Sequence, residues 1–138
     1  GHDGSLTTVH ANSPRDAIAR LETLVMFAGL DLPSRAIREQ IAAAIHILVQ
    51  TARMSDGTRK VTSVCEVTGM EANTITLQEI YAFRQTGVDQ NRKVLGQHAS
   101  TGMVPKFVSK LESLGIALPK GIFTAPNVAS PTIPRGRA

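Results

Sequence analysis

Four histidines, His2, His10, His46 and His98, and one cysteine, Cys65, are the side chains of this 138-residue sequence best suited to bind a metal, move a proton or attack an electrophile. Their spacing removes most of that chemistry. No Cys-x-x-Cys or His-x-x-x-His pair occurs, so they lack the arrangement of a zinc site. No Gly-x-Ser-x-Gly elbow presents a nucleophilic serine. No Gly-x-x-x-x-Gly-Lys-Ser/Thr loop is available to cradle a triphosphate, and no predicted strand ends in an acidic residue that would hold Mg²⁺. Cys65 has no internal partner for a disulfide. Its place within Val61–Val67 reads as a strand position, a structural thiol in a reducing compartment. His10 closes the β-prone run Ser5–His10.

The elements that must position it follow from periodicity. Ser5–His10, bounded by Gly4 and Asn12-Ser13, predicts a strand in a buried sheet. Ser13 can cap a helix, Pro14 suits its first position, and Asp16 places a carboxylate at the positive helix end. Ile18, Leu21, Val25 and Ala28 recur at helical spacing, with Leu24 widening the stripe, until Gly29. Leu32-Pro33-Ser34 opens a second helix whose inner face is Ile37, Ile41, Ala44, Ile45 and Leu48, with Arg35, Arg38 and Glu39 off that face. The two helices form a hairpin over a sheet. Ile47–Arg53 then turns extended, and Asp56-Gly57 marks a hairpin into Thr58–Val67. Thr74–Leu77 and Tyr81–Arg84 read as short strands, with Arg92–His98 returning beside the latter. Lys106–Leu114 is a short amphipathic helix closed by Gly115, with Phe107, Val108, Leu111 and Leu114 inward. From about Thr124 the chain carries Pro126, Pro131 and Pro134 without an apolar repeat, the pattern of a disordered tail. Arg15 and Arg20 are expected to pair with Asp16 or Glu22 along the first helix. His46 and His98 read as structural, and the four methionines as gap-fillers.

Composition sets the bounds. Hydrophobic residues make up 42% and charged residues 19%, the balance of a folded domain. No apolar run exceeds about five residues, far short of the roughly 20 a membrane-spanning helix needs. Fifteen Lys and Arg against 11 Asp and Glu leave a net charge of +4. The basic residues cluster only at Arg59-Lys60, Arg92-Lys93 and Arg135-Gly136-Arg137. A nucleic-acid partner is not expected, because the sequence shows neither a concentrated basic stripe nor aromatic platforms. Gly1-His2-Asp3-Gly4-Ser5 lacks an initiating Met and the features of a signal peptide, so the chain reads as beginning mid-protein.

Four segments carry a resemblance: Gly1–Ala17 running on through Arg20-Leu21-Glu22; Leu32–Ile41; Asp56–Thr62 with Glu66-Val67; and Thr101-Gly102 with Pro105-Lys106-Phe107. In order and spacing they resemble the secretion traffic ATPases that drive type II and type IV secretion and pilus assembly, in particular the CpaF/TadA-type ATPases of Flp, or tight-adherence, pili. The first segment is similar to that family's histidine box.

The resemblance implies an α/β fold, the later part of a RecA-like P-loop NTPase domain. Its order is strand, helical pair, β-hairpins and C-terminal helix, incomplete without upstream strands. Residues 1–123 would form this part of the domain, and 124–138 a Pro-rich tail. It further implies a cytoplasmic motor peripheral to the bacterial inner membrane, a homo-hexamer that couples ATP hydrolysis to pilus assembly or export and works with inner-membrane platform proteins. ATP and Mg²⁺ would bind the intact protein, whose P-loop and acidic segments lie upstream in the family, and neither would bind this fragment alone. His10 and His2 match the two box histidines, with the His10 position expected near the γ-phosphate and Thr8 a weaker contact. A histidine at the C-terminal end of a sheet strand stands where open α/β folds bind nucleotides. The alternative reading is a non-catalytic module that docks on other subunits or on the platform.

Overall fold

The computed structural model describes residues 4–29 and 31–126. Helix α1 spans Pro14–Phe27 and α2 spans Ser34–Ala44. Four strands follow, β1 (Ile47–Arg53), β2 (Arg59–Glu71), β3 (Thr74–Val88) and β4 (Val94–Ser100), then helix α3 (Phe107–Ser113). The strands form one antiparallel sheet in the order β1-β2-β3-β4, each joined to the next by a hairpin. The fold is mixed α/β.

The start of α1 follows from its cap. Ser13 Oγ accepts from the Asp16 N–H at 3.1 Å, Pro14 takes the first turn, and Asp16 Oδ2 accepts from the Asn12 N–H at 2.9 Å. The carboxylate therefore bonds one residue ahead of the cap rather than the cap itself. Gly29, at φ 75°, supplies the left-handed conformation beyond the helix. Ile18 of α1, Ile37 and Ile41 of α2 and Ile75 of β3 form the buried centre, with Leu21, Val25, Leu48, Val67 and Leu77 packed against it. Helical spacing also assigned Leu24, Ala28 and Ala44 to inner faces, and all three are exposed. The sheet presents only one surface to the helix pair, so the apolar stripe it covers is narrower than the stripe in the sequence. Glu22 pairs with Arg38 across the helices at 2.9 Å, rather than with Arg15 or Arg20.

Two expectations for the strands are corrected. Thr74–Leu77 and Tyr81–Arg84 belong to one 15-residue strand, because Gln78–Ile80 continue the ladder opposite Glu66 and Cys65. The run Ser5–His10 is in no strand: Leu6 is fully exposed, and no backbone ladder holds the run among the described residues. β-Prone residues make a strand only where a neighbour offers paired donors and acceptors. The final helix also differs, since Leu114 is 65% exposed and closes the helix rather than facing inward. The tail expected from Thr124 lies, from residue 127 on, outside the described residues.

Register explains how α3 is held. Leu48 stands opposite Cys65 on the face that α1 and α2 cover, so Glu66, opposite Ile47, points to the other face. There its buried carboxylate accepts from the N–H groups of Lys106 at 2.9 Å and Phe107 at 3.1 Å, while Lys106 Nζ donates to the Thr68 carbonyl. The Tyr81 hydroxyl donates to the Ile122 carbonyl, and its ring lies 6.2 Å from that of Phe123. Cys65 is buried, its Sγ 3.3 Å from Ser63 Oγ, and that hydroxyl donates to Glu79. On β4, Gly96 is required by close approach: a Cβ there would meet the Arg84 carbonyl oxygen and the Phe83 ring at 2.5 Å.

The distal ends of the two outer hairpins are joined by Asp56. Its carboxylate accepts from Thr58 Oγ1 at 2.6 Å, from the Thr58 N–H at 2.9 Å and from the Val94 N–H at 2.8 Å. The Thr58 hydroxyl first, then the Val94 and Thr58 amides, hold its pKa down to about 2.

Two measurements test these contacts. Glu66→Ala strands two N–H groups and should destabilise the fold by about 1–3 kcal/mol in denaturant unfolding; Glu66→Gln, which keeps one acceptor oxygen, should lose less. Because the Asp56 pKa is depressed in the folded state, its contribution is complete above the ordinary carboxylate range near 4 and is lost as pH falls through about 2. Melting temperature should therefore fall more steeply between about pH 4 and pH 2 in the parent than in Asp56→Asn.

Candidate functional site

The segment carrying His10 shares the lining of two clefts with β1, an outer strand of the sheet. It is fixed at its C-terminal end. Gln50 Nε2 on β1 donates to the Ala11 carbonyl at 3.0 Å, and Asn12 and Ser13 are tied into the start of α1. Between segment and strand lies a cleft of about 500 Å³. Thr7, Thr8 and His10 form one wall, Leu48, Val49 and Gln50 the other, and Arg59 from β2 also reaches it. His10 and Thr8 are both exposed.

This arrangement joins an imidazole, a guanidinium and the hydroxyls of Thr7, Thr8 and Thr51 at one open cleft, with no carboxylate among its described lining residues. Such groups donate hydrogen bonds to anionic oxygens, of which phosphate is the best matched in number and charge. Arg59 is the residue that sequence reasoning missed as a member of this site. It was legible only as half of a basic pair, and strand register, which sets it opposite Arg53 at the end of the β1–β2 hairpin, brings it there. His2 lies outside the described residues. His10 does not end a sheet strand, as expected, but stands on an irregular segment anchored by the Gln50 amide.

The other histidines have separate settings. His98 Nε2 lies 2.9 Å from the Val61 carbonyl oxygen, and its ring is 5.2 Å from that of Phe83, so it braces β4 against neighbouring strands. His46 is exposed between α2 and β1, and its carbonyl accepts from the Val67 N–H. No group of three His, Cys, Asp or Glu that could hold a metal ion occurs among the described residues. Among the same residues no helix is long and apolar enough to cross a membrane.

A helix-flanked sheet with a phosphate-compatible cleft beside its first strand narrows the class, and sequence comparison supplies the family. The family described as type II/IV secretion system protein matches residues 1–105, and the chain belongs to it. Two relatives from Mycobacterium tuberculosis, strains CDC 1551 and H37Rv, bear the name conjugal transfer protein; each is 41% identical over 64 residues. That match takes in 46% of this chain and 18% of each relative, so the chain corresponds to a minor part of these curated relatives.

The anchor of the segment is testable. Gln50→Leu removes the side-chain donor to Ala11, and limited proteolysis should then cut within residues 4–11 several-fold faster than in the parent, with unchanged resistance across β2 and β3.

Proposed function

We propose that this chain is the part of a secretion or conjugation traffic ATPase that contributes the histidine box, of the CpaF/TadA type that serves Flp pili. The observation that carries the reading is the position of His10 within the family-matched segment, exposed in a cleft with Thr8 and Arg59 and with no carboxylate among the described residues that line it. On this reading the segment and sheet belong to a RecA-like domain spanning residues 1–123. The terminal phosphate of ATP approaches the cleft mouth, where the His10 imidazole donates to a phosphate oxygen and Arg59 offsets its charge. Thr8 supplies a secondary hydroxyl contact, and His2 a second box histidine.

The remaining requirements belong to other parts of the assembled protein. This chain has no Gly-rich Lys-Ser/Thr loop, so the triphosphate is cradled by residues outside it, and Mg²⁺ is held there with the nucleotide. A homo-hexamer provides such residues at its subunit interfaces. The motor then works at the cytoplasmic side of the inner membrane against platform proteins. Hydrolysis there drives pilus assembly or export.

In the intact ATPase, His10→Ala should lower turnover by about 10²-fold, the typical effect of removing one donor from a charge-stabilising site, with hexamer formation retained. Size-exclusion chromatography and a phosphate-release assay read the two properties separately. Unchanged turnover would remove His10 from the site.

A further inference from the structure

Unequal strand lengths leave part of β3 without a neighbour. β4 pairs with Tyr81–Val88 only, and just before Tyr81 the Thr101 N–H and hydroxyl close that ladder on the carbonyls of Ile80 and Glu79. Along Thr74–Gln78, β3 therefore has β2 on one side and no strand on the other among the described residues. Peptide groups of an antiparallel strand point alternately to its two sides, and β3 has no extra residue between Thr74 and Glu79. The Thr76 carbonyl points to β2, where Thr68 Oγ1 donates to it, and the Glu79 carbonyl points the other way to Thr101. Ile75 and Leu77 share the Glu79 side, so their N–H and C=O groups face the bare edge. The stretch carries neither lysine nor proline, residues that keep other chains off an exposed edge.

A depression of about 480 Å³ follows this edge, lined by the unbroken run Thr74–Leu77 and by Arg15 of α1. A second, of about 240 Å³, adjoins it where Ile18 and Ala19 meet Ile75 and Leu77, and Arg15 lines that one too. Arg15 is exposed and in no ion pair among the described residues, because Glu22 is bonded to Arg38 and Asp16 to the Asn12 N–H. Glu71 also lines the outer depression, so the charges suit a single carboxylate placed at Arg15 and not an acidic run. Only another extended chain matches the donor and acceptor repeat of a strand edge. Pairing this edge with itself about a two-fold axis would set two Arg15 guanidiniums against each other, whereas a chain with a carboxylate there gains a charge-assisted bond. We propose that the outer edge of β3 over Thr74–Gln78 binds an extended segment of a partner protein as an added strand, its backbone on Ile75 and Leu77 and one acidic side chain on Arg15. The docking belongs to β3 and α1 and does not depend on the reading of His10.

The full chain and the capped heptapeptide Ser-Thr-Val-Glu-Val-Thr-Ser test this. With peptide at about ten times its Kd, amide hydrogen exchange at Ile75 and Leu77 should slow about tenfold. An exposed ion pair is worth up to about fivefold in affinity, so Arg15→Gln, and lysine in place of the peptide's glutamate, should each weaken binding by that order. Arg20→Gln, the next cation on α1, should bind as the parent does, and circular dichroism checks the fold of both variants. Methylating alternate backbone nitrogens of the peptide blocks one of its edges at a time, and one of the two methylated forms should lose binding while the other keeps it. The proposal is overturned if the heptapeptide does not bind, if it binds without slowing exchange at Ile75 and Leu77, if Arg15→Gln or the lysine peptide binds as tightly as the parent pair, or if both methylated forms behave alike. Protection of the same two amides in the chain alone as its concentration rises would assign the edge to a second copy instead.

Discussion

The antiparallel pairing of β2 with β3 is the constraint on which the other elements lean. These are the two longest strands, and each borders one outer strand, so β1 and β4 keep their positions only while the central ladder holds. The ladder also separates two surfaces. Val67, Ile75 and Leu77 present apolar side chains to α1 and α2, while Glu66 and Tyr81 carry the bonds that hold α3 and the segment after it. Glu66 is the sharper of these devices. A buried carboxylate carries a heavy desolvation cost unless its oxygens are bonded, and the first amides of α3 meet that requirement while gaining an acceptor themselves.

The same carboxylate joins two stretches with different relations to the family. The family match ends at residue 105, and the amides that Glu66 binds belong to residues 106 and 107. The last helix is therefore anchored from within the family-matched region, although it lies beyond it. Beside β1 the anchoring is lighter: one hydrogen bond from the Gln50 amide and the cap of α1 hold the end of the segment that bears His10. Rigid scaffold and lightly held segment are a common division of labour where a side chain has to meet something outside the chain.

Much of this organisation was legible in residue pattern. The Ser13-Pro14-Asp16 start of α1, the Ile37 and Ile41 face of α2 and the Asp56-Gly57 hairpin all rest on local chemistry, and each stands where the pattern put it. The failures among the strands share one cause, which is non-local pairing. Ser5–His10 has the composition of a strand and no ladder, whereas Gln78–Ile80 lacks a strong strand signature and sits in the middle of one, because Glu66 and Cys65 lie alongside. Likewise Arg59 could be seen as basic, but its approach to His10 comes from hairpin register. The candidate site was legible in His10 and Thr8 through the family-like segment, and its cationic member was not.

Cys65 gives the central ladder a reporter of its own. Its thiol lies near the middle of β2 and is 6% exposed, so a reagent in solvent meets it only when the strands around it part. The rate at which the thiol is alkylated is thus the intrinsic rate of an exposed thiol scaled by the fraction of time the sheet is open, when reclosing outpaces the reagent. A protein with a single cysteine at that position carries a built-in clock for its own unfolding, readable by mass without any added label.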